Sequence, residues 1–279
     1  MKYKNIINNN TVPDALTPKQ TLEKAYISGV SKTKLTAPKC FLSAMLAGAF
    51  IAFGATFFCV ATSDNSLSFT FNKMLGGLCF CLGLELVLLC GAELFTGNIL
   101  MCQALASHQI NWKSLFKNWG LVLVGNALGA LFVVALIALS QLCNLNSGNV
   151  GENIVKIATG KIELDWLTIF VKGMLCNMLV CLAVWIGFTS RTVVDKVAGI
   201  LLPISGFVVC GFEHCVANMF FLPMGFVANA LGYGIENAVT IQEIFYNLSA
   251  SVTGNVAGGL LIAMAYWFIY SEHNVKKQQ

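Results

Sequence analysis

Charge is the scarcest property of this sequence. Only 11% of its 279 residues are Asp, Glu, Lys or Arg, less than half the share of about 25% usual in soluble domains. With 57% hydrophobic residues and a mean hydropathy of +0.73, the chain reads as an integral membrane protein. The formal net charge of +4 is modest and the basic residues are scattered over loops, which excludes a nucleic-acid footprint. Five prolines among long apolar runs exclude a collagenous or disordered chain. Eleven cysteines include no C-x-x-C pair, which argues against metal or redox chemistry. Most of them (Cys59, Cys79, Cys81, Cys90, Cys176, Cys181 and Cys210) sit inside apolar runs and read as small, polarizable packing residues. The opening stretch MKYKNIINNNTVPDALTPKQ lacks the apolar core of a cleaved signal peptide, so it is expected to stay on the protein.

Uninterrupted hydrophobicity is what the chain has in abundance. Six apolar stretches, near 41–61, 74–107, 116–141, 166–188, 197–230 and 247–270, reach the length of about 20 residues that a bilayer crossing needs. The second and fifth run to roughly 34 residues, too long for one straight crossing. Each carries a polar element close to its midpoint: GAELFTGN at 91–98 and GFEHCVAN at 211–218, both of the form G-x-E-x-x-x-x-N. Glycine and polar residues at those places predict two half-helices around a non-helical elbow. A second echo follows in the same order, GNALG at 125–129 and GNVAG at 254–258, in the third and sixth stretches. Two echoes in register imply duplication of a three-span unit. Three is odd, so the halves enter the membrane in opposite directions, as in inverted-repeat transporters whose sites lie where the broken helices meet.

The expected fold is therefore an all-α membrane protein with six transmembrane helices in two inverted three-helix repeats, helices 2 and 5 broken. Residues 1–39 form an N-terminal segment, 40–271 the transmembrane domain and 272–279 a tail. Seven lysines precede the first span, two lie in 108–117, Arg191 and Lys196 follow the fourth span, and Lys276 and Lys277 close the chain. The opposite side holds only Lys73, Lys156 and Lys161. This asymmetry places both termini in the cytoplasm, with the protein in the plasma (inner) membrane. Thr17 and Pro18 form an N-cap and N1 pair, followed by Leu22, Ala25, Tyr26, Gly29 and Val30 at helical spacing. Two roles fit this short amphipathic helix: an interfacial anchor, or a plug that moves over a pore.

Ionisable groups inside spans are functional candidates by default. Here they are Glu85, Glu93, Lys172, Glu213 and His214. His214 is the one histidine placed mid-membrane and carries the one side chain that ordinarily titrates near neutrality. Glu93 and Glu213 recur in both halves, which speaks for architecture: each can accept hydrogen bonds from backbone amides freed at its own elbow, since backbone inside hydrocarbon must be paired internally. Asn98, Asn126, Asn218 and Asn255 can serve the same need. Glu213 can also tune the imidazole through Asn255. Lys172 snorkels to the outer interface, Lys161 is a loop charge or an attractor of anions, and Glu85 fits a subunit contact as well as a pore wall.

At these residues the chain resembles the formate/nitrite transporter family. The matching segments are GAELFTGN, KGMLCNMLVCLAVW (172–185), GFEHCVANMFFLPMG (211–225) and TGNVAGG (253–259), and the resemblance covers about residues 17–270. It implies an aquaporin-like protomer, five of which form a ring, each conducting small monovalent anions such as formate, nitrite or hydrosulfide, with protons, through its own pore. No cofactor or metal is implied. By motif, Thr96 and His214 face each other at the pore centre. Phe80, Leu84, Leu94, Phe95, Val180 and Phe207 match the family's apolar constrictions. Asn177 matches its pore asparagine, and Lys161 and Asn255 a polar pair near the histidine. The N-terminal helix resembles a pH-responsive gate. Neutralising a small carboxylate of pKa near 3.9 at pH 7 costs roughly 4 kcal/mol, comparable to bringing an unpaired charge into an apolar slit. Proton sharing from a cationic or well-tuned imidazole is the expected way to tip that balance. A neutral-solute channel of the aquaporin type should show N-P-A elbows, and this sequence has none. An intramembrane enzyme lacks a nucleophile, metal cluster or cofactor motif beside Glu213 and His214.

Overall fold

A computed structural model describes residues 15–64, 66–234 and 239–271. Of the terminal segments expected to be cytoplasmic, residues 1–14 and 272–279 lie outside the described residues. The described residues form α1 (Pro18–Thr33), α2 (Ala37–Ala61), α3 (Phe69–Cys90), α4 (Phe95–Asn98), α5 (Cys102–Ala106), α6 (Trp112–Leu139), α7 (Asn149–Ile162), α8 (Trp166–Thr189), α9 (Val193–Val209), α10 (Cys215–Ala230) and α11 (Ile241–Tyr270), with no strand among them. Helix starts follow the local chemistry. Thr17 and Gln20 form a capping box with Pro18 just inside, and Thr192 with Asp195 and Thr240 with Glu243 repeat the device. Ser68, Asn111 and Asp165 cap α3, α6 and α8 with their side chains.

Among the described residues five helices are long and apolar enough to cross a membrane: α2, α3, α6, α8 and α11. The long second stretch leaves helix after Cys90 and resumes at Phe95, passing through a 3-10 turn at Ile99–Met101 on the way to Ala106. The long fifth stretch is divided between α9 and α10, of 17 and 16 residues. Both departures start at a glycine with left-handed backbone, Gly91 (φ 79°) and Gly211 (φ 65°), a conformation that costs glycine little and other residues more.

The helices pack in a pattern that recurs. α2 lies against α6 and α3 as α8 lies against α11 and α9, and α3 meets α9 between them. The G-N-x-x-G motifs explain the closest of these contacts. A Cβ at Gly129 of α6 would overlap the Met45 carbonyl of α2, and one at Gly258 of α11 would overlap the Met174 carbonyl of α8. Small residues four apart let two backbones approach where no water drives association.

One element departs from expectation. Residues 149–162, between the third and fourth apolar stretches and including the Lys161 read as a loop charge, form α7, whose buried face is Val150, Gly151, Ile154, Val155 and Ala158. α1 is a helix as expected, but its inner face (Thr21, Leu22, Ala25, Gly29) is buried against protein, chiefly α5, α8 and the turn at Ile99–Met101, and hydrogen bonds tie its N-terminal half to α8. Leu16 N–H donates to the Thr189 carbonyl at 3.0 Å and Lys24 Nζ to the Phe188 carbonyl at 2.7 Å.

Candidate functional site

Each break exposes backbone groups that the membrane interior cannot solvate, and in each half one asparagine bonds an amide and a carbonyl of the break and a carbonyl of the neighbouring helix. Asn126 Oδ1 accepts from Phe95 N–H at 2.9 Å while its Nδ2 donates to the carbonyls of Ala44 and Glu93. Asn255 repeats the three bonds with Cys215 N–H, Gly173 and Glu213. The carboxylates do something else. Glu93 accepts from Lys32 Nζ (2.7 Å) and Asn98 Nδ2 (2.7 Å), and Glu213 from Lys161 Nζ (2.8 Å) and Asn218 Nδ2 (2.6 Å). The expected bonds from elbow amides to these carboxylates are not formed: Phe95 and Cys215 N–H donate to Asn126 and Asn255, and Glu93 and Glu213 N–H to the Ser43 and Lys172 carbonyls. Asn255 touches Glu213 at its backbone carbonyl, so it does not couple the carboxylate to the imidazole. Asn98 and Asn218 donate in addition to Asn118 and Asn247.

His214 closes the second break as the N-cap of α10: its Nδ1 accepts from Ala217 N–H at 3.1 Å. A backbone N–H can only donate, so Nδ1 carries a lone pair and the ring proton sits on Nε2. Nε2 lies 3.1 Å from Thr96 Oγ1 in the first break. The imidazole held this way is neutral, and its N–H donates to the hydroxyl. Both residues are buried, and Phe207 stacks on the imidazole at 5.8 Å and 19°. Asn177 Nδ2 donates to the carbonyls of Thr96 (3.3 Å) and Asn255 (2.7 Å), tying the two breaks together. With Nδ2 fixed between two carbonyls, Asn177 Oδ1 points away from them, buried and without a protein partner.

Two hollows approach this centre from opposite ends of α3. The larger, about 480 Å³, is walled by α2, α3, α7 and α8 and reaches Phe80, Phe207, Phe221 and His214. The smaller, about 320 Å³, lies under α1 and reaches Leu88 of α3 and Val184 of α8. Phe80, Leu84 and Leu88 form one stripe of α3, so about 12 Å of helix, at 1.5 Å per residue, separates the two floors. Leu84, Leu94 and Val180 are buried in the same apolar core, and Phe80 meets Phe207 edge-on at 5.6 Å. Phe95 is buried in that core as well, its ring edge-on to Trp119 of α6 at 6.1 Å.

The charged candidates redistribute accordingly. Lys161 lies in the last turn of α7, not in a loop, and is ion-paired to Glu213. Lys172 lines the larger hollow with Lys73 and Lys156. Lys24 and Lys196 line the smaller one. Partial burial, followed by the nearby charges of Lys196 and Arg191, holds Lys24 below its ordinary pKa of 10.5. Glu85 is half-buried on α3 and lines neither hollow. Among the described residues no three His, Cys, Asp or Glu side chains converge as a metal site.

Residues that sequence reasoning passed over are Lys32, Asn118 and Asn247. Their signal was present. The repeated motif extends to N-x6-G-N-x-x-G at 118–129 and 247–258, and Lys32 and Lys161 each stand four residues before a helix N-cap, Thr36 and Asp165.

The family model described as Formate/nitrite transporter matches residues 19–268. The chain is 38% identical over 275 residues to the formate channel FocA of Escherichia coli (strain K12), covering 94% of this chain and 96% of that one. It is 33% identical over 262 residues to the formate channel BtFdhC of Bacillus thuringiensis, covering 92% and 96%. A solved pentameric formate channel with formate bound superposes with a TM-score of 0.78 at 38% identity, over 84% of this chain and 97% of that chain. An FNT family ion channel superposes with a TM-score of 0.78 at 25% identity, over 90% and 98%.

Proposed function

Because the chain belongs to the formate/nitrite transporter family and is a multi-pass membrane protein, we propose that it conducts small monovalent anions of weak acids, formate first among them. The observation that carries this reading is the alignment of the two hollows along the Phe80–Leu84–Leu88 stripe, with the His214–Thr96 hydrogen bond among the side chains between them. In this reading Phe80 and Phe207 form the constriction below the larger hollow, and Leu84, Leu94 and Val180 the one above the smaller. The chain forms two inverted three-span repeats, assembles as a homopentamer in the plasma membrane, and keeps both termini in the cytoplasm. Exposed large side chains such as Leu42, Phe53, Phe57, Phe132, Leu202 and Phe268 then face lipid or a neighbouring subunit. The smaller hollow opens to the cytoplasm, with α1 as its cover.

The neutral imidazole sets the mechanism. An anion entering the apolar slit loses several kcal/mol of solvation, comparable to the roughly 4 kcal/mol of protonating formate at pH 7. His214 in its capped state is not the source of that proton, since giving up Nε2–H would leave an imidazolate. Charging Nδ1 instead would break the bond from Ala217 N–H. The proton therefore joins the anion in the hydrated hollow. At the centre the acid needs a donor for its carbonyl and an acceptor for its hydroxyl. His214 Nε2–H supplies the first, and Thr96 Oγ1 or the unpartnered Asn177 Oδ1 the second. Nitrite and hydrosulfide, also anions of weak acids, use the same partners.

Stopped-flow measurements on proteoliposomes exposed to formate, nitrite, hydrosulfide and glycerol test this directly. Formate should enter fastest, faster at lower pH, and glycerol not above the lipid background. Glycerol entry equal to formate entry would reject the anion reading.

A further inference from the structure

The larger hollow is bigger and more charged than a three-heavy-atom anion requires. Four lysines line it, and Glu213 is the one carboxylate among its lining residues, already bound to Lys161 at 2.8 Å. The remaining cations come from three walls: Lys73 from α3, Lys156 from α7 and Lys172 from α8. None of these three forms an ion pair among the described residues, and the charges of Lys161, Lys172 and Lys156 all act on Lys73. Lys156 also borders an adjoining hollow, whose lining includes Glu152 and Glu163. A single monovalent anion leaves most of this charge unanswered. Between the cations the lining is mixed, apolar at Phe69, Ile157, Leu164 and Phe212 and polar at Thr62, Asn72 and Asn153. The floor is a set of touching rings, Phe80 on Phe207 at 5.6 Å and on Phe221 at 6.4 Å.

We propose that this hollow is a binding site for a short dicarboxylate, which the ring floor stops from passing and which blocks the mouth it occupies. Charges on separate walls suit two carboxylates held apart, and the apolar part of that lining suits a hydrocarbon spacer better than a compact oxyanion. Two carboxylates on a spacer also lose more solvation in the slit than formate does. The block, though not the binding, rests on reading this hollow as one mouth of the anion passage.

Equilibrium dialysis of labelled succinate against the detergent-solubilised full chain, with monomethyl succinate and inorganic phosphate as competitors, tests the site. Succinate should bind at one per chain and weaken as salt is raised. The monomethyl ester should bind at least about tenfold more weakly, since it lacks the second charge. The variant Lys73→Gln with Lys172→Gln should lose about tenfold or more, and the exposed Lys156→Gln, which keeps the fold regardless, about threefold. An ester as tight as succinate, phosphate tighter than succinate, or Lys156→Gln and the double variant both binding as wild type would overturn the site. Formate flux into proteoliposomes with saturating succinate on the α7 face then tests the block. Flux that falls supports it, and flux left unchanged overturns it. Succinate binding to a protein that passes no formate would leave the site standing and overturn the permeation reading instead.

Discussion

The two breaks share a frame and differ in what they put at its centre. In each, an asparagine ties the first amide beyond the break to two carbonyls, and a glutamate joins a lysine to a second asparagine. The partners recur 129 residues apart in the surrounding helices (Lys32 and Lys161, Asn126 and Asn255) and 120 apart within the breaks (Glu93 and Glu213, Asn98 and Asn218). The position taken by Leu94 in the first break is taken by His214 in the second. Leu94 offers no side-chain cap, and Gly97 follows it; the chain beyond runs through three short pieces, two α and one 3-10. His214 caps its helix, and α10 runs unbroken for 16 residues. The backbone repairs must be made twice, so their residues repeat. In the proposed reading the chemistry is made once, by letting the two halves differ where they meet.

The comparison can be broken at several points. The largest effect is expected from Asn126→Ala and from Asn255→Ala. Each orphans one amide and one carbonyl of the break, at about 1–3 kcal/mol per group, so both variants should lose most of their folded yield, measured as the monodisperse fraction on size exclusion. A large loss for only one of them would show that the halves are not held alike. Next come the ion pairs. Removing one partner of a buried pair costs about 3–5 kcal/mol while removing both costs little, so Glu213→Leu should lower the thermal midpoint and Lys161→Met should restore it in the double variant. The first-half pair, Lys32 with Glu93, is less buried (side chains 20% and 9% exposed, against 15% and 3%), and the same cycle there should give a smaller loss. Equal losses would indicate that burial does not set the difference.

Smaller again, and confined to transport, is His214→Phe. Removing a donor to a neutral acid, worth about 0.5–1.5 kcal/mol, should slow formate flux by roughly two- to tenfold. His214→Asn, which keeps an N–H donor, should recover part of it, and undiminished flux in the phenylalanine variant would end the role given to the imidazole. The smallest effect concerns α1. Lys24 has a lowered pKa when α1 is docked, so the docked state binds fewer protons than the free one. Docking should strengthen as pH rises through the interval between the docked pKa and 10.5. Hydrogen exchange of α1 in alkaline buffers, corrected for its intrinsic rate, should show that slope, and Lys24→Gln should flatten it.

Much of the frame could be read from the chain. G-x-E-x4-N and G-N-x-x-G mark both breaks and both close helix contacts, because glycine and asparagine have few other reasons to recur in apolar runs. α7 was less legible. Val150, Ile154, Val155 and Ala158 have helical spacing, but the run is short and its polar residues resemble those of a loop. The partners of Glu93 and Glu213 were not legible at all. Choosing Lys32 over a nearby amide depends on where α1 docks, 61 residues earlier in the chain.

By itself the sequence determined that this chain lives in a membrane, that its two halves repeat, and where helix must stop. Those are consequences of solvation and of local backbone freedom, which each short segment carries with it. Only the tertiary structure decided which lysine meets which glutamate, that the imidazole is held neutral by Ala217, and that ammonium groups from three helices share one hollow. These depend on distances between segments far apart in the chain, and packing alone sets such distances.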